Sequence, residues 1–133
     1  MFIGDLAKKT GISIDTIRYY EKAGLIFPVS VCKSGYREFD DTAAETLRFI
    51  TRAKQLGFSL REIRDLLALK KTPETTCKQV KARAEQKRAE IIHKIQSLQE
   101  MKKELDALVH ACRGDESGLE ACSIVKTLEG KEQ

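Results

Sequence analysis

Ile3-Gly4-Asp5-Leu6-Ala7-Lys8-Lys9-Thr10-Gly11-Ile12-Ser13-Ile14-Asp15-Thr16-Ile17-Arg18-Tyr19-Tyr20-Glu21-Lys22-Ala23-Gly24 is the stretch that decides the fold. Ile3, Leu6 and Ala7 recur at helical spacing, and Gly11 follows as a stop, so a short first helix is predicted. Ile12 anchors the turn. Ser13 is placed to cap a second helix from Ile14 to Ala23, which Gly24 stops. Two short helices joined by a tight glycine-bearing turn form a helix-turn-helix, with Ile3, Leu6, Ala7, Ile12 and Ile17 as its small core. The second helix displays Asp15, Thr16, Arg18, Tyr19 and Tyr20 in various directions, and arginine and tyrosine there suit phosphates and base edges.

Working outward, Val29-Ser30-Val31-Cys32-Lys33-Ser34-Gly35-Tyr36-Arg37-Glu38-Phe39 alternates β-formers around Lys33-Ser34-Gly35 and reads as a hairpin. It carries Lys33, Tyr36 and Arg37 near its tip. A basic hairpin beside a helix-turn-helix is a wing that grips a nucleic-acid backbone. Asp40 or Asp41 caps a third helix, to about Leu56 before Gly57, with Leu47, Phe49, Ile50 and Ala53 on its apolar face. Ser59 and Glu62 have capping-box spacing for a fourth helix that Thr72-Pro73 ends. A long helical stretch then runs from about Glu74 to Ala111.

That stretch carries a heptad-like seam. Steps of three and four from Cys77 reach Lys81, Ala84, Arg88, Ile91, Ile95, Leu98, Lys102, Leu105, Val109 and Cys112; six of these eleven positions are apolar and two are cysteines. Such a helix is too polar to stand alone and needs a partner. Cys77 and Cys112 are roughly 50 Å apart along one straight helix and cannot meet within a chain. An antiparallel pair of chains centred near Lys94 and Ile95 brings Cys77 of one copy beside Cys112 of the other. Cys122 follows in a glycine-bearing loop.

Composition bounds the function. The 133 residues hold 24 Lys and Arg against 20 acids, a net charge of +4, with 33% charged and 6% aromatic residues. Long exposed helices fit that balance, and the small basic excess matters only through its distribution. No run of about 18 apolar residues is present, so no membrane partner is expected. The opening residues lack a secretory pattern, so a cytoplasmic location with reduced thiols is expected. No Ser-His-Asp set, P-loop or dinucleotide fingerprint occurs, so an enzyme is not expected.

Ile3-Gly4-Asp5-Leu6-Ala7, Thr16-Ile17-Arg18-Tyr19-Tyr20-Glu21, Gly24-Leu25, Gly35-Tyr36-Arg37, Leu47-Arg48-Phe49-Ile50 and Leu56-Gly57-Phe58-Ser59-Leu60-Arg61-Glu62-Ile63 together resemble the MerR family of bacterial transcription regulators. The resemblance implies an all-α fold with a small β-hairpin wing: a winged helix-turn-helix plus a long antiparallel coiled-coil dimerisation helix. The organisation expected is a DNA-binding domain with connecting helices over 1–71, a dimerisation helix over 74–111, and a metal-binding loop with a short C-terminal helix over 112–133. It implies a homodimer that sits on promoter DNA and, on binding its effector, distorts an over-long spacer so that RNA polymerase can use it. Arg18, Tyr20 and Arg37 would contact DNA, chiefly its backbone, with Thr16 and Tyr19 at or near the interface. One of the two tyrosines can instead pack the small core.

The three cysteines Cys77, Cys112 and Cys122 resemble those of the divalent-metal members, for zinc, cadmium, lead and mercury. The implied cofactor is a divalent soft metal ion, one per site and two sites per dimer, held by Cys77 of one chain and Cys112 and Cys122 of the other. Copper-type members usually have Ser where Cys77 stands and bind a monovalent ion with two loop thiolates. Three thiolates suit a +2 ion and two suit a +1 ion. Nine residues separate Cys112 and Cys122, as in the zinc-responsive members, but Arg113 and Ser117 stand where those carry a further Cys and a His. Asp115, Glu116 or water could supply a fourth ligand. His110 points about 200° from Cys112 while the helix continues. Cys32, in the wing, reads as a small strand residue. A thiol redox sensor on the same scaffold, joining Cys112 to Cys122, is the competing reading.

Overall fold

The structure, a computed structural model, describes residues 1–130. Positions 131–133, the end of the segment expected to form the C-terminal loop and helix, lie outside the described residues. The order is α1 (Ile3–Thr10), α2 (Ile14–Lys22), β1 (Ser30–Val31), β2 (Arg37–Glu38), α3 (Asp41–Gln55), α4 (Leu60–Lys71), α5 (Cys77–Ala111), a 3-10 turn (Leu119–Ala121) and α6 (Ser123–Leu128). The chain divides into two compact units, the first spanning Met1–Ala82 and the second beginning at Arg83.

Caps set the helix limits of the first unit as the sequence predicts. Gly11 closes α1 at φ 73°, where a side chain would be strained. The Ser13 hydroxyl accepts the Thr16 amide at the start of α2, and Asp40 accepts the Ala43 amide at the start of α3. Ser59 and Glu62 form the full capping box of α4, Ser59 N–H donating to Glu62 Oε1 at 2.8 Å and Glu62 N–H to Ser59 Oγ at 3.2 Å.

The wing pairs Ser30 with Glu38 and Val31 with Arg37 in antiparallel register. The Gly35 amide donates to Cys32 O at 2.8 Å and the Cys32 amide to Tyr36 O at 2.7 Å, so a three-residue loop closes the hairpin with Gly35 at φ 87°. A third rung comes from the chain's start, where Phe2 bridges Glu38 and the Phe39 amide donates to Met1 O. The sequence pattern did not announce that rung.

Leu6, Ile17, Phe39, Leu47, Ile50 and Ile63 are fully buried together, so one core joins α1, α2, the wing, α3 and α4. Ile3, Ala7, Ile12 and Phe49 pack around it half-buried. The Arg64 guanidinium donates to Ala23 O at 2.7 Å and ties α4 to the end of α2. In the second unit α5 continues as one helix, and Ile91, Ile95, Leu98, Leu105 and Val109 of the seam all face solvent.

Leu47→Ala is expected to lower unfolding free energy by about 3 kcal/mol, the usual cost of a cavity at a fully buried leucine. Ser59→Ala is expected to cost about 1 kcal/mol through the lost cap. Urea denaturation followed by circular dichroism measures both.

Candidate nucleic-acid interface and thiol site

The nucleic-acid candidates divide by burial. The Tyr20 ring belongs to the core and is 6% exposed, whereas Tyr19 is 55% exposed. The two rings lie 5.6 Å apart, tilted by 60°. Of the alternatives left open for this pair, the core takes Tyr20, and the surface offers Tyr19 with Arg18. Thr16 is held by Ser13, whose hydroxyl donates to Thr16 Oγ1 at 2.8 Å. Lys33, Tyr36 and Arg37 are exposed on the wing. Arg18, Tyr36 and Arg37 share a cleft of about 140 Å³ with Phe2, Gly35 and Glu21.

Two residues of this cleft went unassigned in the sequence. Glu21 Oε2 sits 3.0 Å from Arg37 Nε. Phe2 meets the Tyr36 ring edge-on, with centroids 6.1 Å apart. Glu21 belongs to the quoted Arg18-Tyr19-Tyr20-Glu21 run, and the basic wing was its available signal. Phe2 had none.

The thiol candidates lie in different places. Cys77, at the first position of α5, is exposed. It lines an apolar cleft of about 380 Å³ with Phe49, Leu66, Leu69 and Val80. Cys112 follows the last turn of α5, its amide donating to Leu108 O at 3.1 Å. Cys122 precedes α6. The loop between them folds back, and a cavity of about 250 Å³ is lined by Cys112, Cys122 and the residues joining them.

The Val125 backbone N–H faces the Cys122 sulfur and holds its pKa below the usual thiol range. The Ile124 N–H and the Cys112 thiol act in the same direction, and partial burial opposes them. The first turn of a helix thus stabilises a sulfur anion, as unpaired N–H groups at helix starts do for any anion. Cys32 is shifted the other way. Burial raises its pKa, and Glu38, whose Oε1 accepts its S–H at 3.4 Å, adds to the rise.

One carboxylate of the loop is already engaged. Asp115 accepts the Ser117 hydroxyl and amide, the latter at 2.9 Å, and these bonds hold its carboxyl below the usual range. Arg113 Nε approaches it at 3.8 Å. His110 is exposed in the last turn of α5 and does not line the loop cavity. The Ser123 hydroxyl oxygen is buried in this loop without a partner. Among the described residues no three His, Cys, Asp or Glu side chains are gathered as a metal site within one chain. The donor set fits a soft ion with two sulfur ligands, or one that takes a third from outside the chain.

In the reduced, metal-free protein, Cys122 is expected to react with iodoacetamide at a lower pH than Cys32. The lowered pKa gives thiolate first at Cys122 as pH rises, and the raised one delays it at Cys32. Pulse alkylation read by peptide mass spectrometry gives both profiles, and the reverse order would contradict this account.

Residues 1–70 match a family model described as MerR HTH family regulatory protein, and residues 44–108 match one described as MerR, DNA binding. The chain is 43% identical over 116 residues to the heavy metal-dependent transcription regulator 2 of Rhizobium meliloti, covering 87% of this chain and 79% of that one. The structure is similar to the transcription regulator PbrR691 of Ralstonia metallidurans in complex with lead(II), with a TM-score of 0.85, 32% identity and coverage of 96% and 98%. It is also similar to the regulator MerR of Bacillus megaterium in complex with mercury(II), with a TM-score of 0.74, 32% identity and coverage of 97% and 99%. Among the described residues no helix is long and apolar enough to cross a membrane. The chain belongs to the MerR family of helix-turn-helix regulatory proteins.

Proposed function

We propose that this protein is a metal-responsive transcription regulator that binds promoter DNA as an antiparallel homodimer and acts on RNA polymerase by distorting the promoter. The observation that carries the metal response is the loop that brings Cys112 against Cys122 and favours the Cys122 thiolate. Soft ions select such sulfur donors. The relatives with lead(II) and mercury(II) in their structures support the same reading.

The DNA-contacting residues are Thr16, Arg18, Tyr19, Lys33, Tyr36 and Arg37. Tyr20, with its ring in the core, acts by setting the α2 surface or with its ring edge alone. The proposed organisation keeps 1–71 as the DNA-binding domain with connecting helices, 74–111 as the dimerisation helix and 112–133 as the sensory loop with its short helix.

The unpartnered apolar seam of α5 supports the dimer, since Leu98 at 61% exposure and its neighbours gain only from a second copy. In that dimer the third thiol comes from Cys77 of the partner subunit, giving a divalent soft ion such as zinc, cadmium, lead or mercury three sulfur ligands and the dimer two sites.

A copper-type reading has an observation of its own. One chain brings two thiols together without help, which is a complete donor set for a monovalent ion. The variants decide between the two. Cys112→Ser or Cys122→Ser is expected to abolish the response to every ion in a promoter-reporter panel. Cys77→Ser is expected to abolish the divalent responses and to leave any copper response standing. A Cys77→Ser variant with intact divalent responses and normal DNA affinity would refute the three-thiolate site. Activation by peroxide that survives chelation would place the protein among redox sensors instead.

Ile95→Glu is expected to convert dimer to monomer in light scattering at micromolar concentration. Near the two-fold axis one substitution places two carboxylates, one from each copy, next to the Ile91–Leu98 apolar contacts of the proposed seam.

A further inference from the structure

We infer that Glu21 is a positioning residue for DNA binding: its carboxylate fixes the Arg37 guanidinium on the wing so that the terminal nitrogens are presented to a backbone phosphate. The inference rests on the reading of this face as a DNA interface.

The pair links two elements that must act together. Glu21 lies in the last turn of α2 and Arg37 opens β2, and Glu21 Oε2 is 3.0 Å from Arg37 Nε. Its exposure is asymmetric. The Glu21 side chain is 15% exposed and that of Arg37 is 55% exposed. The acid is set into the surface while the cation projects from it. By contrast the Lys9–Asp41 pair, between α1 and α3, is exposed at both ends, and pairs of that kind hold geometry weakly.

The atom used matters as much as the distance. A guanidinium carries five N–H donors, one on Nε and four on the terminal nitrogens. Glu21 engages the Nε edge. The end-on fork remains for a phosphate, in the planar geometry that suits two oxygens at once. Arg18, one turn earlier on α2, lines the same cleft as Arg37 and Tyr36, and Phe2 packs edge-on against the Tyr36 ring. Ordering the long Arg37 side chain during folding removes that cost from binding.

The effect of removing Glu21 separates this role from plain electrostatics by its sign. A carboxylate on a phosphate-facing surface repels DNA, so its loss alone should tighten binding. Loss of a positioning residue should weaken it.

The test uses the full-length, reduced, metal-free protein and mixed-sequence duplex DNA, since phosphate contacts are independent of sequence. Affinity is read by fluorescence anisotropy over a range of salt. Glu21→Ala is expected to weaken binding by about three- to tenfold and to lower the salt slope by about one, the mark of a lost phosphate contact. Glu21→Gln, which keeps an oxygen beside Nε without the charge, is expected to lose less. In an Arg37→Ala background Glu21→Ala is expected to weaken binding no further.

Unchanged or tighter binding by folded Glu21→Ala overturns the inference. So does an equal loss in the Arg37→Ala background, which would mark Glu21 as merely structural. Thermal melts confirm folding, and if Glu21→Ala does not fold the same cycle is run with Glu21→Gln. Failure of the unaltered protein to bind duplex would overturn the interface reading itself, and is seen separately.

Discussion

The buried face of α3 is the constraint on which the first unit depends. Leu47 and Ile50 are fully buried, with Ala43 and Ala44 beside them. Small alanines let neighbouring backbone come close, and the branched side chains fill the space between. One cluster therefore takes in Leu6 from α1, Ile17 and Tyr20 from α2, Phe39 from the end of the wing and Ile63 from α4. None of these elements could stand alone: α1 and α2 are two turns each, and the hairpin has two residues per strand. The polar surface of Arg18, Tyr19 and Arg37 is the outer side of elements whose inner sides join that shared core. A basic excess of only four charges can then serve nucleic-acid binding, because the cations that matter are placed rather than numerous.

The thiol loop follows another logic. It has little apolar surface to bury and is organised by hydrogen bonds. Gly114 turns the chain at φ 66°, Asp115 gathers Ser117, and the first turn of α6 supplies amides to Cys122. The carboxylate that would best suit a harder ion is spent on the loop's own geometry, and the sulfurs are left available. Asp115 is used to build the loop, and the sulfurs of Cys112 and Cys122 line its cavity as soft donors.

Most of the fold was legible because its signals are local. Gly11, Ser13, Asp40 and the Ser59–Glu62 box fix helix ends within a few residues of themselves, and the structure puts the ends at or within a few residues of those positions. Leu6, Ile17, Leu47 and Ile50 follow from period 3.6. What stayed illegible is long-range or angular. The bridge from Phe2 to Glu38 joins residues whose spacing carries no pattern. Of the neighbours Tyr19 and Tyr20, one turn of 100° sends one inward, and two identical residue types cannot say which. At the thiol loop Cys112 and Cys122 were legible by type and position, while Cys77 lies apart from them at the start of α5. The amides of Val125 and Ile124 were not, since backbone groups leave no mark in a sequence.

The polarity of the α5 seam becomes intelligible in the proposed antiparallel pair. Cys77 then faces Cys112, Lys81 faces Leu108, Ala84 faces Leu105, Arg88 faces Met101, and Ile91 faces Leu98. Lys81 and Arg88 of the first half would meet Leu108 and Met101 of the second, so their methylene stems cover the apolar partners while the charged ends reach water. Leu105 and Met101 are exposed in the single chain, as this pairing requires. A seam of leucines throughout would pair in several registers and orientations. One with polar and apolar halves pairs well only when reversed and centred. The same residues that weaken the helix as a coiled coil would set the register at which two distant thiols meet, so the sulfur site and the dimer would be specified together.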